Sequence, residues 1–203
     1  SPEPEQPPAE VASQPKKPAV PDDASQQQAE QRVRELLKIE FDAANTPEKQ
    51  QALATKLVKL GRETTGDPTT RFVLFRLAYQ LNAVVGDWAK ALSVVDTMGE
   101  HYEADVLSIK ADVLGAVVER LQATPQTPEA VKQVFKAMSD GLDAAVAADN
   151  YSAANRFLRS ARLMARKMGN PAMTRELGVR EREIGRMERA FDRVKTSLDS
   201  VAH

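Results

Sequence analysis

The 203-residue chain has no cysteine and only 2 histidines, and aromatic residues make up just 5% of it. Without cysteine there is no disulfide framework, no Cys-ligated zinc, no iron–sulfur cluster and no thiol nucleophile. No apolar run approaches the ~18 residues that a transmembrane helix needs. Phosphate-cradling glycine loops of the GxxxxGK[ST] and GxGxxG kinds are missing, as is a GxSxG nucleophile turn. Glycine is absent before Gly61, whereas seven of the 12 prolines fall within the first 21 residues. The chain opens on Ser1-Pro2 with no Met and no apolar leader, which reads as a processed start whose leader lay upstream.

The skew of proline and glycine divides the chain. Residues 1–24 mix Pro, Glu, Gln, Ala, Lys and Ser, with Val11 and Val20 as the only larger aliphatics. Such a segment buries too little surface to offset its ordering entropy, so it is expected to be a disordered, semi-stiff tether. Residues 25–203 are expected to form one domain, large enough for a full core.

That domain reads as helix throughout. Thr46-Pro47, Asp67-Pro68, Thr127-Pro128 and Asn170-Pro171 each place a capping side chain before a proline. Proline suits the first helical position, where an amide would lack an intrahelical partner, and Thr, Asp or Asn before it accepts from the first turn. Ser25 with Gln28, Gly86-Asp87 and Asp149-Asn150 mark further starts. The expected helices span 25–44, 47–62, 68–85, 87–101, 103–122, 128–148, 150–168 and 171–199. No segment alternates with period two, so no sheet is expected.

One internal repeat emerges, at an offset of 63 residues. Gly86-Asp87-Trp88-Ala89-Lys90-Ala91 aligns with Asp149-Asn150-Tyr151-Ser152-Ala153-Ala154; beyond it Val95 aligns with Leu158 and Met98 with Ala161. Each copy holds a turn, a polar cap, an aromatic and an alanine that permits close approach. The pattern resembles the second helix of the tetratricopeptide repeat, which opens Gly-Asp-Tyr-x-x-Ala. That resemblance implies an all-α, right-handed αα-superhelix of about eight antiparallel helices and a peptide-binding concave surface. The first-helix signature and the closing proline of that family are not matched. A looser resemblance, carried by Arg32-Val-Arg-Glu-Leu-Leu, Thr46-Pro-Glu-Lys, Glu63-Thr-Thr-Gly-Asp-Pro and Arg71-Phe-Val-Leu, is to an uncharacterised helical module of secreted or envelope bacterial proteins. It implies an extracytoplasmic location and no activity.

Chemistry is sparse. His101 stands near Glu100, Glu103 and Asp105, but one histidine with loosely spaced acids fits a helix end better than a metal centre. No catalytic, cofactor-binding or metal-ligating residue is assigned, and the chain reads as non-enzymatic with no cofactor. The expected function is protein–protein interaction or scaffolding, with a peptide or partner domain held near Arg71, Phe75, Tyr79, Asn82, Lys110 and Asp112. Arg71 stands out as a charge on an otherwise apolar helix. A structural spacer between an N-terminal anchor and a partner domain is the first alternative.

The second alternative rests on charge. Residues 151–203 carry 12 Lys/Arg against 6 Asp/Glu, and ten of the cations are Arg. Arg156, Arg159, Arg162 and Arg166 span about 120° of one helix face, as an anion-binding surface would. The last helix adds Arg175, Arg180, Arg182, Arg186, Arg189 and Arg193, but Glu176, Glu181, Glu183 and Glu188 interleave with them at salt-bridge spacing. Intramolecular pairing is therefore expected, and nucleic acid is the disfavoured partner. Leu177, Ile184, Met187, Phe191, Val194, Leu198 and Val201 form a heptad seam. It is expected to pack on the preceding helices, with a dimer through the C-terminal helix as the alternative.

Overall fold

A computed structural model describes residues 16–123 and 127–201. Residues 1–15 of the expected arm, loop residues 124–126 and His203 lie outside it. The described residues form nine helices and no strand: α1 (Asp23–Leu36), α2 (Lys38–Ala43), α3 (Pro47–Glu63), α4 (Pro68–Val84), α5 (Trp88–His101), α6 (Val106–Ala123), α7 (Pro128–Ala147), α8 (Tyr151–Lys167) and α9 (Pro171–Val201). The one β-type pairing is an isolated parallel bridge between Ala19 and Glu103.

The caps sit where the prolines place them. The side chains of Thr46, Asp67, Thr127 and Asn170 each accept from an amide of the first turn, at 3.4, 2.9, 3.3 and 3.1 Å. Two starts differ from expectation. Asp22, not Ser25, caps α1, accepting from the Ser25 amide at 2.9 Å. Asp105 caps the helix expected from 103, accepting from the Ser108 amide at 3.0 Å, because residue 103 is held elsewhere. The first expected helix is two, α1 and α2, meeting at Leu37.

Residue 103 is held by the chain's own N-terminal segment. Residues 16–19, read from composition as part of the arm, lie against the α5–α6 junction. The Glu103 amide donates to the Pro18 carbonyl at 2.9 Å, and Lys17 Nζ donates to the Gly99 carbonyl at 2.5 Å. Proline and lysine forbid a core here but not a strap, since the strap needs only backbone groups and a helix C-terminus.

The 63-residue repeat is real in the backbone. Gly86 and Asp149 both take positive φ, at 85° and 52°. The next amide bonds back the same way in each copy, Asp87 to the Asn82 carbonyl and Asn150 to the Ala145 carbonyl, both at 2.9 Å. Ala91 and Ala154 are both fully buried. The matching turns join α4 to α5 and α7 to α8, three helices apart. A two-helix repeat would separate them by an even number.

The core forms two clusters. One takes Val33, Leu57, Phe72, Phe75, Met98 and Tyr102; the other takes Leu114, Met138, Leu142, Phe157, Met164 and Ile184. Each is organised by a ring seated where a neighbouring helix lacks a side chain. A Cβ built on Gly61 would lie 2.8 Å from Phe75, and one on Gly141 would lie 2.5 Å from Phe157. Helix α6 touches both α4 and α8, linking the two halves.

The seam of α9 is divided. Leu177 and Ile184 are buried, but Met187, Phe191, Val194 and Leu198 are exposed, Leu198 to 65%. Asn155 donates to Glu188 at 3.3 Å and the ring of Tyr151, the first residue of α8, meets Phe191. Residues 189–200 are exposed, so the seam packs as expected only as far as α8 extends.

Two kinds of glycine give opposite predictions. Gly141→Ala forces a methyl into a fully buried ring and is expected to cost about 1–3 kcal/mol. Gly178 and Gly185 lie inside α9 with no close neighbour that forbids a methyl. Gly178→Ala and Gly185→Ala are each expected to stabilise by about 0.5–1 kcal/mol, as measured by urea denaturation.

Candidate functional site

The residues expected to face a partner are distributed by the structure among several tasks. Arg71 is a clamp. Its Nε donates to the Gly61 carbonyl at 3.1 Å, satisfying the C-terminal turn of α3, and its Nη2 lies 3.3 Å from His101 Nε2 at the end of α5. Phe75 is fully buried and offers nothing to a partner. Lys110 pairs with Asp96 of α5 at 2.5 Å, and Asp112 pairs with Arg156 of α8 at 2.8 Å. Tyr79 is half-buried, and burial pushes its phenol above the usual range. Arg71, Lys110 and Asp112, the three charged groups among them, fasten helices together instead of forming a bare recognition surface.

Asn82 is different. It is 3% exposed; its side-chain amide makes no hydrogen bond among the described residues and keeps its small remaining exposure to solvent, whereas the one fully buried side-chain polar atom without a partner among them is Arg76 Nε. The Asn82 position is the floor of a groove of about 500 Å³ between α3 and α5. Thr55, Val58, Lys59, Arg62 and Glu63 form one wall; Lys90, Ser93 and Val94 form the other. The groove exists because both helices pack on α4, while the three-residue turn at Gly86 sets α5 beside α3 without full contact. Gln51 Nε2 reaches Asp87 at 3.4 Å, tying the two N-terminal ends together below it.

The groove has apolar walls at Val58 and Val94 and a basic rim. Lys59 lies 3.9 Å from Glu63 and Lys90 pairs with Asp87 at 2.8 Å, while Arg62 makes no ion pair among the described residues. The wall residues were not legible beforehand. A polar Asn on the apolar α4 was the one sequence signal, and it points to this groove instead of to a row shared with Lys110 and Asp112.

His101 faces cations. Its ring stacks on Phe75 at 5.9 Å, and Arg71 stands beside it. Glu103 and Asp105 are turned to the N-terminal segment and to the α6 cap. Among the described residues no group of three His, Asp or Glu is placed to hold a metal ion. Burial, then the Arg71 charge, holds the imidazole below its usual range.

The basic residues of α8 are unequal. Arg156 is bound to Asp112 and to Ser108 Oγ, and Arg162 pairs with Glu181. Arg159 and Arg166 are exposed and unpaired among the described residues. Among the arginines of α9, Arg180 is the one that makes an ion pair with a described residue, Asp143. Arg175, Arg182, Arg186, Arg189 and Arg193 make none among the described residues, so the interleaved glutamates do not neutralise them. Glu176 and Glu183 lie on other sides of the helix, and Glu181 and Glu188 are turned to α8.

The His101 environment has a pH consequence. Its folded value lies below that of the unfolded chain, near 6.5. The unfolded state therefore takes up the proton first, and the stability present above pH 6.5 declines as pH falls below it. Thermal melts between pH 7.5 and 5 are expected to show this decline, and His101→Gln is expected to flatten it.

No protein-family profile matches the chain, and no curated protein or solved structure shows detectable similarity to it.

Proposed function

We propose that the chain is a non-catalytic protein-interaction module that holds an extended, acidic peptide segment in the α3–α5 groove. The observation that carries this reading is Asn82, a nearly buried amide with no partner, set in the floor of an open groove. A peptide backbone supplies both a donor and an acceptor to such a group. The basic rim favours acidic side chains on either side of it. From Thr55 to Arg62 the wall is about 10 Å long, the span of about three extended residues.

In this reading the helices stack as antiparallel pairs in a tetratricopeptide-like superhelix. The three-residue turns before α5, α8 and α9 and the contact of α6 with both α4 and α8 support the stack. The three-helix spacing of the repeat distinguishes it from a regular two-helix array. On the resemblance to secreted and envelope modules, we place the protein outside the cytoplasm. A spacer role is the second reading, supported by the stretch of α9 that runs on beyond its cover.

Panning a random-peptide display library on the full chain tests the groove. Acidic peptides are expected to be enriched. Lys59→Glu/Lys90→Glu is expected to weaken them at least tenfold, and Asn82→Ala about fivefold, with unchanged helicity. Enriched peptides that bind both variants like the parent would contradict the proposal.

A further inference from the structure

The outer face of α9 breaks several local rules at once, with no compensation inside the chain. Arg175, Arg182, Arg186, Arg189 and Arg193 fall within about 60° of arc, along about 27 Å of helix axis. Like charges three and four residues apart on one helix repel. Glu183 and Asp192 lie three residues from Arg186 and Arg189, yet neither forms an ion pair with them. Gly178 and Gly185 border the same strip, and nothing in the fold requires either to be glycine. The apolar side of α9 points the other way, toward α7 and α8. Local penalties that nothing in the chain offsets mark a functional surface.

From this we infer that the outer strip of α9 docks the phosphate backbone of a nucleic-acid duplex. All five cations are arginine, whose planar fork grips phosphate oxygens in pairs. Five unpaired like charges in a line fit a linear polyanion better than a compact ligand. A protein interface needs an apolar centre, and this strip contributes one apolar side chain, Val179. Single strands are gripped by aromatic stacking, and the strip carries no aromatic; Phe191 lies on the opposite side, against Tyr151. Gly178 leaves bare backbone beside the arginines, and over Gly185 the Arg189 guanidinium lies 3.4 Å from where a Cβ would stand, so the polyanion can lie close to the helix and to that guanidinium. Because α8 covers the inner side of the first half of α9, where Leu177 and Ile184 are buried, this helix lies along the backbone there without entering a groove. The contact therefore reads charge and not base sequence.

Fluorescence anisotropy with a 24-base-pair duplex and the full chain tests this. Five phosphate contacts predict log K falling with log salt at a slope of about −4.5, or about 500-fold between 50 and 200 mM. Arg182→Gln/Arg186→Gln/Arg189→Gln is expected to reduce the slope to about −1.8 without loss of helicity. Lys38→Gln/Lys49→Gln/Lys132→Gln removes the same charge elsewhere and is expected to leave the slope unchanged. Gly178→Ala/Gly185→Ala is expected to raise Tm while weakening duplex binding. No binding at 50 mM salt overturns the inference. So does an equal loss of slope in the lysine variant, which would mean diffuse attraction. Binding to phosphatidylglycerol vesicles at least as tight as to the duplex also overturns it, since the strip would then serve a lipid surface.

Discussion

Each half of this fold depends on one aromatic ring seated against a glycine of the neighbouring helix. Phe75 lies over Gly61 and Phe157 over Gly141, both rings fully buried. A ring in that position draws two helix backbones together and fills the space a Cβ would occupy, so interior density is reached with small residues around it. Ala54, Ala78, Ala154 and Ala161, all without exposed surface, continue the same close approach. The grooves follow from it. Helices held tightly on α4 leave α3 and α5 splayed above it, and the α3–α5 groove is the space between them.

The second constraint is the closing of helix ends. Side chains satisfy the first turns at Asp22, Thr46, Asp67, Asp87, Asp105, Thr127, Asn150 and Asn170. Arg71 and Lys17 supply donors to the last turns of α3 and α5. The caps at Thr46, Asp67, Asp87, Thr127, Asn150 and Asn170 read as caps in the sequence, whereas Arg71 read as a functional charge and its geometry assigns it to architecture as well. Asn82 and the outer α9 arginines, with Arg76 Nε in the interior, remain polar groups for which the described residues provide no counterpart.

That division explains what was legible in the sequence. Caps and prolines act over three or four residues, so they located the starts of six of the nine helices, α3, α4, α5, α7, α8 and α9, and the turns before α5, α8 and α9. The strap at Lys17–Ala19 was not legible, because its partners at Gly99 and Glu103 are distant in the chain. The break at Leu37 left no proline or glycine to mark it. Arg71 and Asn82 both looked like odd polar residues on one apolar helix, and periodicity alone does not say which meets a carbonyl and which meets a groove. Interleaved Arg and Glu on α9 suggested neutralisation by spacing; the helix instead turns Glu181 and Glu188 inward and leaves the arginine strip outside.

The central claim is that an unpartnered amide in the floor of the α3–α5 groove receives a ligand backbone. The side-chain amide resonances of Asn82, followed by NMR while an enriched acidic peptide is titrated in, test it most directly. The account predicts that these resonances shift with the peptide and gain protection from exchange, together with the amides of Val58 and Val94. Saturable binding that leaves Asn82 unmoved and perturbs the α6 and α8 surfaces around Asp112 and Arg156 would contradict it.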